Sequence, residues 1–211
     1  MIDSIRSQHQ PVVPLTDVLD DLERFVTDTG DRPVPLRAVD DTMRGRGIGV
    51  LMLVLSIPFM IPVSIPLLST VCGAPMIMLG ARIAVTGRGV IPAFALDREF
   101  SPHAMAAIAQ GLSKVLRPIA YLFRPRLGVM FWSVPWRITG VSICLAASIL
   151  SLPIPVPFAN TIPALALLHF AAGLLQRDGI AISVGHAFTL ASYVYIYMIW
   201  EVVVRTLSAL F

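Results

Sequence analysis

Two long hydrophobic stretches of this chain are each broken midway by closely spaced prolines, and this duplication constrains the fold more than any other feature. The first stretch runs from Gly47 to Thr86 and carries Pro58, Pro62 and Pro66. The second runs from Ile138 to Leu175 and carries Pro153, Pro155 and Pro157, followed by Asn160-Thr161 and Pro163. Proline cannot donate to the carbonyl four residues back and clashes with it, so neither run continues as a regular helix. The arm before Pro58, Ile48 to Ile57, has ten residues. At ~1.5 Å per residue that is about half a hydrocarbon core. Each break is therefore either a short loop at the far membrane surface or a re-entrant turn at membrane depth. Ser69-Thr70 aligns with Asn160-Thr161, and Gly87-Arg88 with Asp178-Gly179, so the two stretches read as internal repeats.

Composition places these stretches in a membrane. The chain is 56% hydrophobic and 14% charged with mean hydropathy +0.78, against about a quarter charged residues in soluble domains. Its start, Met1 to Gln10, is polar, and no apolar run follows it directly, so no cleavable signal peptide is expected. Nine of the thirteen acidic residues lie between Asp3 and Asp41. None lies between Glu99 and Asp178, where Lys114, Arg117, Arg124, Arg126 and Arg137 fall. Among membrane segments such a block follows the positive-inside bias, with anionic lipid headgroups rather than nucleic acid as neighbours. Orientation by parity puts the N-terminus in the cytoplasm of a bacterial cell, gives both hairpins the same sense, and leaves the C-terminus periplasmic. Cys72 and Cys144 sit in apolar runs without further ligands and read as buried filler.

The expected architecture is an all-α integral membrane protein in five segments. Residues 1–44 form an N-terminal cytosolic helical hairpin: Val18, Leu19, Leu22, Phe25 and Val26 recur at helical spacing, Gly30 ends the first helix, and a second starts at Pro35. Its acidic residues read as a solvated face. Residues 45–88 and 138–179 are the broken hairpins. Residues 89–137 hold an interfacial amphipathic helix over 101–123, opened by Ser101-Pro102 and lined by Met105, Ile108, Leu112 and Leu116. Residues 180–211 hold a C-terminal transmembrane helix whose uncharged part, Ile180 to Trp200, ends in Tyr193, Tyr195, Tyr197 and Trp200.

The candidate site lies at the breaks and the hairpin ends. A broken helix in a membrane leaves backbone groups without partners. Asn160, the sole asparagine, together with Thr161, Ser69 and Thr70, either caps the half-helices or, with their N-terminal dipoles, holds an anion such as a phosphate headgroup. Arg46 and Arg177 at the hairpin ends are cytoplasmic anchors or bidentate phosphate ligands. Asp178 pairs with an arginine or starts the last helix. Arg82 near the end of its arm, and His169 and His186 within apolar segments, are secondary candidates, read first as a snorkelling side chain and two neutral histidines bonded to backbone carbonyls. No H-E-x-x-H, G-x-S-x-G or P-loop pattern occurs. No enzymatic activity, cofactor or metal is expected.

Arg46-Gly47-Ile48-Gly49, the proline segment with Pro62 and Ser69-Thr70, the run Pro155 to Asn160 with Pro163, and Leu174-Leu175-Gln176-Arg177-Asp178-Gly179 also resemble the ExoD family, over residues 15 to 200 or so. Two positions depart from the family pattern: Gly45 stands where an aspartate is frequent, and Gln176 where a glutamate is frequent. The resemblance implies a bacterial inner-membrane protein linked to exopolysaccharide production and envelope fitness. With the anion-holding breaks, it suggests binding or translocation of an anionic, lipid-linked (polyprenyl) precursor. The alternative is a structural or regulatory partner of a polysaccharide synthesis complex. Expected partners are membrane lipids, a second copy of the chain, or synthesis proteins.

Overall fold

A computed structural model describes residues 14–30, 32–42, 47–60, 66–87, 89, 91, 99–152, 154 and 156–210. Arg46, Gly45, Arg88, Pro62, Pro153 and Pro155 lie outside the described residues. Eight α-helices are present among the described residues: α1 Leu15–Thr29, α2 Leu36–Thr42, α3 Gly47–Ser56, α4 Pro66–Thr86, α5 Pro102–Leu116, α6 Ser133–Ser151, α7 Thr161–Gln176 and α8 Gly179–Leu210. A two-residue antiparallel ladder joins Val34–Pro35 to Glu99–Phe100. Leu68–Thr86, Ser133–Ser151 and Gly179–Ser208 are long and apolar enough to cross a membrane, whereas Gly47–Met60 and Thr161–Gln176 are shorter apolar segments.

The bundle is built on an antiparallel α4/α6 pair. In a lipid environment burial of apolar side chains gives helices little reason to associate, so close van der Waals contact must do so, and small residues allow it. Gly73 and Gly80 of α4 and Gly140 of α6 recur on the seam, and a side chain on any of them would strike the facing helix. A Cβ on Gly80 would lie 2.8 Å from both Gly140 O and Cys144 N. The seam is tied at both ends. Thr70 Oγ1 donates to Ser151 O at 3.0 Å, and Arg137 Nη1 donates to Val85 O at 3.0 Å.

The shorter helices pack against each other in the same antiparallel sense. Gly49 at the start of α3 faces Leu175 and Ala171 O near the end of α7, and Gly185 of α8 lies against the ring of Phe170. Gly89 faces Trp136 and Ile48, and Gly179 faces Leu127 and Arg126. The starts of α3, α6 and α8 thus share one end of the bundle with the ends of α4 and α7. The ends of α3 and α6 and the starts of α4 and α7 lie at the opposite end.

The N-terminal segment follows the expected pattern. Val18, Leu19 and Leu22 of α1 are buried, and Gly30 ends the helix at φ 59°. Ser101 Oγ accepts from Ala104 N at 3.2 Å as the cap of α5. One expectation needs correction. The amphipathic helix does not continue to residue 123 as an α-helix, because Pro118 has no N–H to give and residues Arg117–Leu122 tighten into a 3-10 segment. The acidic face of α1 is exposed as expected, and on it Asp20 and Glu23 pair with Arg117 Nη2 at 2.6 Å and 2.9 Å, joining α1 to the start of the 3-10 segment. These partners hold the Arg117 pKa above its ordinary value, with the Asp20 hydrogen bond the largest cause.

Asp40 of α2 makes a separate contact, accepting from Gly47 N at 2.9 Å where α3 begins. Desolvation raises its pKa, the Gly47 hydrogen bond opposes the shift, and Asp41 adds to it. A carboxyl with a raised folded pKa contributes stability below its ordinary range and loses it as pH rises through the folded value. Asp40→Asn retains the acceptor and removes the charge. Its thermal midpoint is expected to equal or exceed that of wild type at pH 7.5, with wild type gaining on it as the pH falls to 4.5.

Candidate functional site

The candidate residues separate to the two ends of α7. That helix has 16 residues, about 24 Å at ~1.5 Å each, so Asn160 and Arg177 do not share one pocket.

At the end holding α7's C-terminus, the centre is Asp178. Its carboxylate is 1% exposed and lies 3.2 Å from Arg126 Nε. It also accepts from Arg124 N at 3.0 Å, Ile180 N at 2.9 Å and Ala181 N at 3.3 Å. Gly179 N donates to Arg126 O at 2.8 Å beside it. Both roles expected for Asp178 therefore hold, since it pairs with an arginine and caps α8 at its positive end. Arg177 takes left-handed backbone angles, φ 52° and ψ 39°, as the α7 C-cap, and its guanidinium stands 5.7 Å over the Phe131 ring.

The other end contains the breaks. Asn160 is 4% exposed, and among the described residues neither Oδ1 nor Nδ2 has a hydrogen-bond partner. The expected capping fails here for a readable reason. A capping side chain needs extended backbone and a free N–H two or three residues on. Asn160 is αR, φ −91° and ψ −28°. The Ile162 N–H already goes to Phe158 O at 3.1 Å, and the third position is Pro163, which has no N–H. The amide of Asn160 is left over. Thr161 is the half-buried first residue of α7. Ser69 is fully buried in the first turns of α4. Thr70 Oγ1 donates across to Ser151 O, which sets the start of α4 beside the end of α6.

The second break is held from a direction the sequence did not announce. Tyr195 Oη donates to Pro157 O at 2.6 Å. Tyr193, Tyr195 and Tyr197 alternate by two and read as interfacial anchors; only the packing of α8 singles out the middle one. Tyr193 Oη lies 3.4 Å from Leu145 O, whereas Tyr197 is exposed.

The secondary candidates lie apart from both groups. His169 Nδ1 is 2.8 Å from Leu165 O, the backbone bond expected, and its ring packs between Phe123 and Phe188. His186 departs from that expectation by pairing with hydroxyls: Nδ1 is 2.8 Å from Ser142 Oγ and Nε2 is 3.4 Å from Thr139 Oγ1. Thr139 gives its own hydrogen to Pro135 O at 3.0 Å, so it accepts from Nε2–H, and Nδ1 accepts from Ser142. The ring thereby joins α8 to α6. Among the described residues Arg82 Nε is buried without a hydrogen-bond partner. No three His, Cys, Asp or Glu side chains among the described residues group as a metal site.

Comparison with known proteins bears on the whole chain. The family model described as "Exopolysaccharide synthesis, ExoD" matches residues 18–198. The protein named "Protein ExoD" of Rhizobium meliloti (strain 1021) is 29% identical over 178 residues, covering 83% of this chain and 74% of that protein. No solved structure matches.

Proposed function

The chain belongs to the ExoD family, and from that membership we propose that it serves exopolysaccharide synthesis as a multi-pass inner-membrane protein that binds an anionic, lipid-linked precursor where its two helix breaks adjoin. The observation that carries the reading is Asn160. A buried amide with both atoms unpartnered costs on the order of 1–3 kcal/mol, and such a cost persists where a ligand relieves it. It sits at the N-terminus of α7, whose dipole favours a negative group such as a lipid phosphate. The α3 arm and its 3-10 turn, Gly47–Met60, are too short to span at ordinary helical rise. Under this reading the hairpins re-enter from the cytoplasmic side, with Arg137 and Arg177 there, the N-terminus cytoplasmic, and the breaks in the far leaflet. The reading gives the chain a binding and carrying role, with no covalent step.

Asn160→Ala is expected to abolish complementation of an exopolysaccharide-deficient null strain while the protein inserts and accumulates, with a thermal midpoint equal to or above that of wild type because the unpaired amide is gone. Full complementation by Asn160→Ala would refute the reading. A docking role in a synthesis complex is the second reading. It is favoured by the C-terminal part of α8, where Trp200, Val202, Val203 and Leu207 are exposed; truncation after Trp200 would then abolish complementation while Asn160→Ala would not.

A further inference from the structure

The three helices long enough to cross a membrane, α4, α6 and α8, meet at one end of the bundle. Arg137 Nη1 in the first turns of α6 donates to Val85 O at the end of α4. Gly179 N at the start of α8 donates to Arg126 O in the connector that leads into α6. That connector therefore lies level with the ends of all three helices. Its surface is unlike that of a loop in water. Leu127 and Trp132 within it, and Val134 in the first turn of α6, are 50%, 66% and 65% exposed. Leu127 holds left-handed backbone angles, φ 51° and ψ 54°, which a glycine would adopt at less cost. An exposed leucine at such a position serves neither the turn nor the core.

Charge is the second observation. No Asp or Glu occurs between Glu99 and Asp178, and Asp178 is turned inward onto Arg126. Arg124 and Arg137 are exposed and have no carboxylate partner among the described residues. Uncompensated cations thus stand beside exposed apolar side chains. A second copy of the chain in a symmetric contact would bring the same cations against them. An anionic phospholipid offers what both kinds of side chain need, a negative headgroup above acyl chains, at the level where spanning helices end. The helix whose sequence points to this role is already covered: Met105, Leu112 and Leu116 of α5 are buried where α1 packs on it.

We propose that residues 124–138 form a collar that binds anionic phospholipid headgroups. Arg124 and Arg137 hold the phosphates, Leu127, Trp132 and Val134 enter the acyl boundary, and α5 rests on α1 instead of lying in the interface. The proposal rests on the reading that the chain is a multi-pass membrane protein, and it names the lipid that its basic end selects.

The test uses the full chain carrying Trp136→Phe and Trp200→Phe, which leaves Trp132 as its tryptophan, in nanodiscs of phosphatidylcholine and phosphatidylglycerol. Each lipid in turn carries bromine near the headgroup end of its chains, so quenching of Trp132 fluorescence reports which lipid lies against it. A chain that keeps only Trp200, ~31 Å along α8 from Gly179, is the reference. Phosphatidylglycerol should be favoured at Trp132 by about fivefold, the attraction of one arginine to an anionic surface, and should show no preference at Trp200. Raised salt should lower the preference. Arg124→Gln should lower it as well and Arg124→Lys restore it, with both variants matched in thermal midpoint. Equal quenching by the two lipids at Trp132, or a preference that neither salt nor Arg124→Gln changes, would overturn the collar and leave the membrane-spanning reading intact. Quenching at Trp200 with none at Trp132 would do the same. If neither lipid quenches either tryptophan, the membrane-spanning reading falls and takes the collar with it.

Discussion

Gly140→Leu is expected to prevent folding of the helix bundle, giving aggregated protein on size-exclusion chromatography in mild detergent where wild type elutes as a folded species. The reason is steric and has no soft exit. A Cβ on Gly140 would overlap the backbone nitrogen of Ala84 and come within 2.8 Å of Gly80 O and 2.9 Å of Ala84 Cα. All three are main-chain atoms, so no side-chain rotation relieves the contact and the helices must separate. Separation also removes the Arg137–Val85 and Thr70–Ser151 bonds at the ends of the seam. The cost should exceed the ~1–3 kcal/mol of ordinary overpacking. Gly111→Ala is the matched control. It lies in α5 with nothing within 4 Å of its Cβ position, and alanine there should add about 0.5–1 kcal/mol of helix stability. A Gly140→Leu protein that folds and melts like wild type would remove the close α4/α6 pair as the foundation of the fold.

Asp178→Ala should be nearly as damaging, by a different mechanism. The backbone N–H groups of Arg124, Ile180 and Ala181 lose a common charged acceptor, and the segment 124–126 comes away from the start of α8. Removing one member of a buried pair is costly because of the charge left behind. Here the remaining charge, Arg126, is 43% exposed and rehydrates, so the loss comes mainly from the three amides and the helix cap. It amounts to roughly 3 kcal/mol, or a thermal midpoint lower by roughly 6–12 °C for a chain of this size. Asp178→Asn keeps one acceptor oxygen and should fall between alanine and wild type. An Asp178→Ala midpoint within a degree or so of wild type would show that the segment is held by other contacts.

Periodicity and punctuation placed α1, its stop at Gly30 and the Ser101 cap of α5, because these depend on interactions within a few residues. The proline spacing located both breaks for the same reason: a missing N–H acts locally. The role of Asp178 was half legible, since an aspartate before a helix is a local signal, whereas its bonds to Arg124 and Arg126 cross more than fifty residues. The exposed acidic face of α1 was legible, whereas its ion pair with Arg117 was not, because nothing near it in the chain hints at that partner. Asn160 read first as a cap because it precedes a helix; its failure to cap depends on backbone angles fixed by the packed turn.

The sequence by itself determined that the chain is helical and apolar enough for a membrane, where its helices break, and which residues punctuate them, since hydropathy, proline chemistry and capping are properties of short segments. Only the tertiary structure decided which helices pair, that both breaks lie at one end, that Tyr195 rather than its neighbours holds the second break, and that Asn160 is buried with its amide unmet. Each of these depends on close approach between segments distant in the chain. At glycine seams and buried amides an ångström decides between contact and clash, and no local pattern of residues records that distance.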